Sequence, residues 1–132
     1  MAKAKKVTQL ELELNDEVGL LGKVSEPIAS SGINIEAICA YSEEGKAHFM
    51  IVTTNNDKAQ EILNSKGISS TKNEVVSVLL ENKVGAAKEF SESLANSGIN
   101  LTYCYGTVGN TDVATLILNS DNNDRLIEAI NQ

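Results

Sequence analysis

The sequence predicts an α+β fold of two tandem ferredoxin-like βαββα(β) repeats, each with an antiparallel sheet and both helices on one face. The first observation behind this prediction is that the chain of 132 residues matches itself at an offset of 66 residues. The second is that each half opens with a run in which apolar and polar residues alternate, as in a half-buried strand. The third is that each run is followed by apolar residues at helical spacing and then by two further strand-like runs.

The internal repeat is densest in one ten-residue segment. SEPIASSGIN, which ends at Asn34, aligns without a gap with SESLANSGIN, which ends at Asn100. Such agreement indicates a duplicated supersecondary unit. We therefore predict a first repeat over residues 1–72 and a second over residues 73–132, with the last strand of the second repeat missing.

Periodicity predicts the first strand and first helix of each repeat. Residues 8–14 alternate apolar and polar side chains, and Val76, Val78 and Leu80 occupy the matching positions of the second repeat. Each of the following helices is expected to end at a glycine, Gly32 or Gly98, because glycine readily adopts the left-handed conformation that closes a helix. The residues predicted to line the buried face of these helices are Val18, Leu21, Val24 and Ile28 in the first repeat and Val84, Ala87, Phe90 and Leu94 in the second.

Two strand-like runs and a second helix complete each repeat. The second helices are predicted near residues 58–65 and 123–130, with caps at Asn55 or Asn56 and at Asp121 or Asn122. The strand-like runs cover residues 33–41, 47–53, 99–107 and 113–118, and turns are predicted at residues 42–45 and 109–111.

A further short strand is predicted at residues 68–71, and nothing comparable follows the second repeat. Only two residues separate it from the next strand, so we expect the two strands to form a hairpin. The first strand of the first repeat would then be an unpaired edge. Exposed edges pair with other chains, so the sequence predicts a homodimer or a larger closed oligomer.

Composition excludes several classes of function. The net charge of −7 disfavours nucleic acid and anionic membranes as partners, and the basic residues Lys3, Lys5 and Lys6 are expected to form a frayed tail. Cys39 and Cys104 have no metal-site or disulfide-scaffold spacing, which fits a reducing compartment. With no leader pattern and no long apolar run, we expect a cytoplasmic protein without a metal or cofactor.

A polar loop that contains a glycine follows the first strand of each repeat. The loops read NDEVG at positions 15–19 and ENKVG at positions 81–85, and Gly-Ile-Asn opens the second strand of each repeat. These motifs resemble the ACT domain family, whose members are small regulatory modules that typically bind amino acids. The resemblance covers residues 7–131. It departs from the family pattern at Val18 and Val84, where family members have a proline that pre-sets the loop backbone.

The resemblance implies a ligand site at the loops and at the strand asparagines. In family members the ligand often lies between the loop and helix start of one module and a strand of a neighbouring module. Physical chemistry agrees, because a helix N-terminus offers free N–H groups and partial positive charge to a carboxylate, and a glycine allows close approach. The implied ligand-binding residues are Asp16, Gly19, Asn34, Asn82, Gly85 and Asn100.

Structural roles are the alternatives for these residues. Asp16 and Asn82 could be ordinary helix N-caps, and Asn34 and Asn100 could close turns after the helix glycines. The loop of the second repeat is the preferred site, because Asn82 does not repel a carboxylate as Asp16 does.

Nothing in the sequence predicts catalysis. His48 lies in the middle of a strand without a nucleophile or carboxylate pattern beside it, so a structural role is expected. Tyr103 and Tyr105 alternate on one strand and are expected to be core or interface residues. The leading hypothesis is a sensor that binds an amino acid or similar metabolite and acts on a regulated enzyme or other protein. The alternative is a ligand-independent adaptor on the same fold, and we expect no enzyme.

Overall fold

The computed structural model describes residues 2–107 and 111–132. This part of the chain folds into six strands and four helices in the order βαββα followed by βαββα, which confirms the predicted fold class. The predicted turn at residues 109–111 lies mostly outside the described residues. The elements are β1 (Lys3–Asn15), α1 (Leu20–Ser30), β2 (Ile35–Glu43), β3 (Lys46–Thr53), α2 (Asn56–Ser65), β4 (Thr71–Glu81), α3 (Ala86–Asn96), β5 (Leu101–Thr107), β6 (Val113–Ser120) and α4 (Asn123–Asn131).

The chain divides into two compact units. Thr8–Asn73 forms the first-repeat unit, and residues 2–7 together with Glu74–Gln132 form the second-repeat unit. The strands follow the order β2-β3-β1 in the first-repeat unit and β4-β6-β5 in the second, and all of these pairs are antiparallel. Each unit therefore has the sheet order of a ferredoxin-like repeat.

Each unit has its own hydrophobic core between the sheet and its two helices. Alternate residues of one central strand, such as Leu10 and Leu12 of β1, face the helices in the first-repeat unit. Val76 and Val78 of β4 do the same in the second-repeat unit. The strand period of two thus places one apolar face of each sheet against the helices, as the alternation predicted.

Residues 3–7 are part of a strand, not a frayed tail. They open β1 and belong to the second-repeat unit. The Ala4 N–H donates to Asn131 Oδ1 at 2.7 Å, and Asn131 Nδ2 donates to the Ala4 carbonyl at 2.9 Å. Lys6 Nζ lies 2.6 Å from Asp124 Oδ1. These residues thus take the place of a closing strand in the second-repeat unit.

Residues 68–73 close the first-repeat unit in the same way. Ile68 is buried in its core, and Lys72 pairs with Asp57 as Lys6 pairs with Asp124. The hairpin predicted for residues 68–71 is wrong, because β4 runs uninterrupted from Thr71 to Glu81.

The unpaired edge predicted for β1 is also wrong, because β1 has β3 and β4 as neighbours. The homodimer was predicted from this edge. It stays a prediction, and the β1 edge no longer supports it.

The helix starts differ from the sequence prediction. Val18 is 105% exposed and Val84 is 103% exposed, and Leu21 and Ala87 are also exposed, so none of these four residues belongs to the core. Val18 and Val84 precede the helices, which begin only after the loop glycine, whereas Leu21 and Ala87 lie on the exposed faces of α1 and α3. Val24 and Ile28 of α1 are buried as predicted, and the other buried residues of α1 are Leu20 and Pro27.

Candidate functional site

The helices α1 and α3 begin at a glycine in the left-handed conformation. Gly19 has φ +91° and Gly85 has φ +88°, and each occupies the N-cap position of its helix. Residues with a Cβ rarely adopt this conformation, which explains the glycine at the same position of both repeats. A glycine has no side chain with which to cap a helix. Neither helix accordingly has a side-chain capping hydrogen bond from its N-cap residue, and in α3 the Ala86 N–H donates to the Lys83 carbonyl at 3.3 Å.

The other two helices of the chain are capped in the ordinary way. Asn55 Oδ1 accepts a hydrogen bond from the Lys58 N–H, and Asn122 Oδ1 accepts one from the Arg125 N–H, both at 3.1 Å. Asn55 and Asn122 are among the caps that the sequence predicted. The N-cap interpretation of Asp16 and Asn82 is wrong, because each lies three residues before the glycine that occupies the cap. Uncapped starts are therefore specific to α1 and α3.

Backbone hydrogen bonds hold both glycine loops to the neighbouring hairpin. The Asp16 N–H donates to the Gly45 carbonyl at 3.0 Å, and the Asn82 N–H donates to the Asp112 carbonyl at 2.8 Å. Asn82 also donates from its side-chain Nδ2 to the Thr111 carbonyl at 2.8 Å. Asp16 and Asn82 are both exposed, and the side-chain amide of Asn82 ties its loop to the β5–β6 connection through Thr111.

The strand asparagines lie at the opposite end of each unit from the glycine loops. Asn34 follows the C-terminal glycine of α1, where Gly32 has φ +74°, and Asn100 follows Gly98 of α3, which has φ +70°. Both glycines end their helices as predicted. An eleven-residue helix spans about 16 Å, so within one unit the asparagine and the loop glycine are far apart.

Asn34 and Asn100 are both exposed. Asn34 is tied to Thr54 through its backbone, since its N–H donates to Thr54 Oγ1 at 3.1 Å. A site that combines an asparagine with a glycine loop would therefore need residues from two different modules. Such a shared site stays a prediction.

A cleft of about 250 Å³ lies beside the start of α3 in the second-repeat unit. We call it the α3 cleft. Its lining residues on α3 are spaced by three or four positions, which places them on one helix face. Sequence analysis missed this cleft, because its lining residues come from distant segments and only the spacing of those on α3 is visible in the sequence. The lining residues are Ala2, Leu80, Glu81, Lys83, Ala86, Glu89, Phe90, Ser93, Ile130 and Gln132.

Charged side chains surround the entrance of the α3 cleft. Lys83 Nζ lies 3.2 Å from Glu81 Oε2. The hydrogen bond to Glu81, followed by the negative charges of Glu81 and Glu89, raises the pKa of Lys83. Among the described residues, the entrance thus presents the Lys83 ammonium group and the carboxylates of Glu81 and Glu89 within the same small region, a charge pattern that suits a zwitterion.

His48 lies in a second cleft of about 380 Å³, in the first-repeat unit, together with Glu11 and Glu13. Its ring stacks on Tyr41 with 5.0 Å between the centroids. Tyr103 and Tyr105 stack on each other at 6.4 Å. Across the described residues, no three His, Cys, Asp or Glu side chains are placed to hold a metal ion.

Comparison with known proteins identifies the family. A family model of the ACT domain pair matches residues 5–132. The chain belongs to the ACT domain pair family. A search of curated proteins found no significant match. Among the helices of the described residues, none is long and apolar enough to cross a membrane.

Solved structures of similar fold include regulatory proteins. A protein from Bacteroides thetaiotaomicron is 26% identical, with a TM-score of 0.88 over 97% of this chain and 88% of that one. The ligand-free regulatory subunit of aspartate kinase from Thermus thermophilus is 14% identical, with a TM-score of 0.69 over 98% and 95% of the two chains. The corresponding subunit from Thermus flavus is 16% identical, with a TM-score of 0.61 over 98% and 95%. At 14% and 16% identity, the two aspartate kinase subunits establish a shared fold.

Proposed function

We propose that this ACT domain pair is a cytoplasmic regulatory protein, not an enzyme, that binds a free amino acid at its glycine loops. The observation that carries the proposal is the contrast between two uncapped and two capped helices within one chain. Unpaired N–H groups at a helix start attract a carboxylate, because hydrogen bonding and the helix dipole both favour negative charge there. The chain supplies asparagine caps to α2 and α4 but gives α1 and α3 no side-chain cap.

The loop of the second repeat is the preferred site. Gly85 lets a ligand approach the backbone closely, and an added Cβ there would meet no atom within 4 Å, so the space in front of it is open. Lys83 supports the carboxylate with its positive charge, and Glu89 can accept hydrogen bonds from the ammonium group. The α3 cleft begins next to this loop at Ala86 and gives the rest of the ligand a place to bind.

The strand asparagines complete the site from a neighbouring module. An asparagine side chain both donates and accepts hydrogen bonds, so Asn34 or Asn100 could bind either end of an amino acid. We propose a homodimer as one source of that module. Among the strands that the structure describes, β2 and β5 each have one neighbouring strand and so offer edges for pairing. Light scattering at micromolar concentration tests this proposal, and a monomer mass would count against the dimer.

A thermal-shift screen of the twenty amino acids tests the binding proposal. A ligand at about 100 times its dissociation constant stabilises the folded state by about 2.7 kcal/mol, which raises the melting temperature by several degrees. Asn82→Ala and Gly85→Val should abolish the shift. Gly19→Val is the matched control, because it introduces the same left-handed strain in the first repeat while leaving the preferred site intact.

The outcome of the screen separates the two candidate functions. A shift that Gly85→Val removes and Gly19→Val leaves supports a sensor with its site in the second repeat. If no amino acid produces a shift, the ligand-independent adaptor is the better description. The similarity to regulatory subunits of aspartate kinase favours a protein partner under either function.

A further inference from the structure

We infer that the α3 cleft selects an amino acid with an aliphatic side chain, which fills a space that the first repeat fills with its own residues. This inference rests on the proposed function and adds the chemical class of the ligand. It comes from comparing the same positions in the two repeats.

The α3 cleft corresponds to a filled region of the first-repeat core. Ala86 directly follows the loop glycine of the second repeat, and Leu20 directly follows that of the first. Leu20 is 6% exposed and packs in the core of its unit, whereas Ala86 lines the cleft. Because leucine has a much larger side chain than alanine, the second repeat has an opening beside its helix start where the first repeat has packed side chain.

The closing strands show the same difference. The ion pairs Lys6–Asp124 and Lys72–Asp57 place residues 2–7 in correspondence with residues 68–73. In that correspondence Ala2 matches Ile68. Ile68 is 2% exposed in the core of the first-repeat unit, and Ala2 lines the α3 cleft. Two large aliphatic residues of one repeat are therefore alanines in the other, and both alanines border the same cleft.

The lining of the α3 cleft separates into an apolar floor and a polar rim. Its apolar lining residues are all buried or half-buried, and its polar lining residues are all exposed. Leu80, Phe90 and Ile130 form the buried part of the floor. A polar side chain placed against this floor would lose its hydration without gaining a partner. The zwitterionic head of an amino acid, by contrast, would meet Lys83 and Glu89 at the rim.

The volume of the cleft suits a small ligand. At about 250 Å³ the α3 cleft is smaller than the 300–1,000 Å³ typical of sites for drug-sized molecules. A single amino acid such as leucine, isoleucine or valine matches this scale. Its side chain would occupy the space that Leu20 and Ile68 fill at the corresponding positions of the first repeat.

Calorimetric titration of the full chain with leucine, glycine and aspartate tests the inference. We expect leucine to bind about ten-fold or more tightly than glycine, because burial of each additional CH₂ group favours binding. Ala86→Leu should weaken leucine binding by about ten-fold or more, since the new side chain occupies the cleft as Leu20 does in the first repeat. Ala87→Leu is the matched control, because Ala87 is exposed and does not line the cleft.

Ala2→Ile fills the cleft from the closing strand and should also weaken leucine binding. It provides an independent test if Ala86→Leu disturbs folding. Unchanged leucine affinity in both variants would overturn the inference, as would equal affinity for leucine, glycine and aspartate. In that last case amino-acid binding itself would stand. Absence of binding by any of the three, extended to all twenty amino acids, would overturn the proposed function as well.

Discussion

Asn131 should stabilise the second-repeat unit by holding residues 2–7 in place as its closing strand. Its side chain makes two hydrogen bonds to the backbone of Ala4, at 2.7 and 2.9 Å, in a partly buried setting. A hydrogen bond of this kind contributes about 1 kcal/mol net, so Asn131→Ala removes about 2 kcal/mol. Alanine has a helix propensity up to about 0.7 kcal/mol better than asparagine, which offsets part of the loss.

The net destabilisation expected for Asn131→Ala is thus about 1–2 kcal/mol. For a chain of 132 residues each kcal/mol corresponds to about 4 °C, so the melting temperature should fall by about 4–8 °C. Thermal unfolding followed by circular dichroism measures this change. Hydrogen exchange at the Ala4 amide, which should lose protection, shows that the change acts on the closing strand.

Asn64→Ala is the matched control for this prediction. Asn64 lies on α2 at the position that corresponds to Asn131 on α4, and it is exposed. Its side chain makes no hydrogen bond within the described residues, so its replacement should leave the melting temperature unchanged or slightly raised. Equal effects of the two substitutions, or unaltered protection of the Ala4 amide, would refute the role of the Asn131 side chain.

Two further predictions concern backbone conformation and pH. Gly19→Ala should destabilise the fold by about 1–2 kcal/mol, because Gly19 has φ +91° and alanine is strained there. Gly22→Ala within α1 should instead stabilise the fold by about 0.5–1 kcal/mol. Chemical denaturation measures both changes in the free energy of unfolding. The hydrogen bond to Asp124, followed by the charges of Asp124 and Glu74, raises the pKa of Lys6. Because the pKa of Lys6 is higher in the folded than in the unfolded chain, its ion pair stabilises the fold fully at pH values below the unfolded pKa of about 10.4. This stabilisation is lost as the pH rises through the folded pKa. The melting temperature should therefore fall more steeply above about pH 10 in the wild type than in Lys6→Met, and parallel curves would contradict this.

Local sequence patterns predicted the parts of the fold that depend on local physics. The alternation at Leu10 and Leu12 reports a strand with one buried face, because side chains alternate between the faces of a sheet. Gly32 and Gly98 mark helix ends because a left-handed residue is required there. Asn55 and Asn122 cap their helices through hydrogen bonds that span only three residues.

The starts of α1 and α3 were harder to predict. Val18 and Leu21 match the helical spacing of the core residues, and apolar spacing alone does not tell which residue begins the helix. The N-cap at Gly19 decides that point, so Val18 lies outside the helix, and within the helix Leu20 faces the core while Leu21 is exposed. The same reasoning explains why Asp16, a favourable capping residue by type, caps nothing.

The closing strand and the α3 cleft depend on contacts distant in sequence. Residues 2–7 look like a basic tail because three of them are lysines, and only their contacts with Asn131 and Asp124 show that they close a sheet. The cleft likewise combines Ala2, residues of α3 and residues near the end of α4. No local pattern reports such a combination. The offset of 66 residues does align Lys6 with Lys72, and this is a signal that could have revealed the correspondence between residues 2–7 and residues 68–73.

The difference between the repeats bears on how many ligands one chain binds. Both repeats have an uncapped helix start, so the N–H groups alone would predict two equivalent sites. The space for a ligand side chain, however, is filled by Leu20 and Ile68 in the first repeat and lined by Ala86 and Ala2 in the second. If side-chain burial supplies most of the affinity, calorimetry with leucine should give one molecule per chain. Two molecules per chain with equal affinity would show that the helix starts, and not the α3 cleft, determine binding.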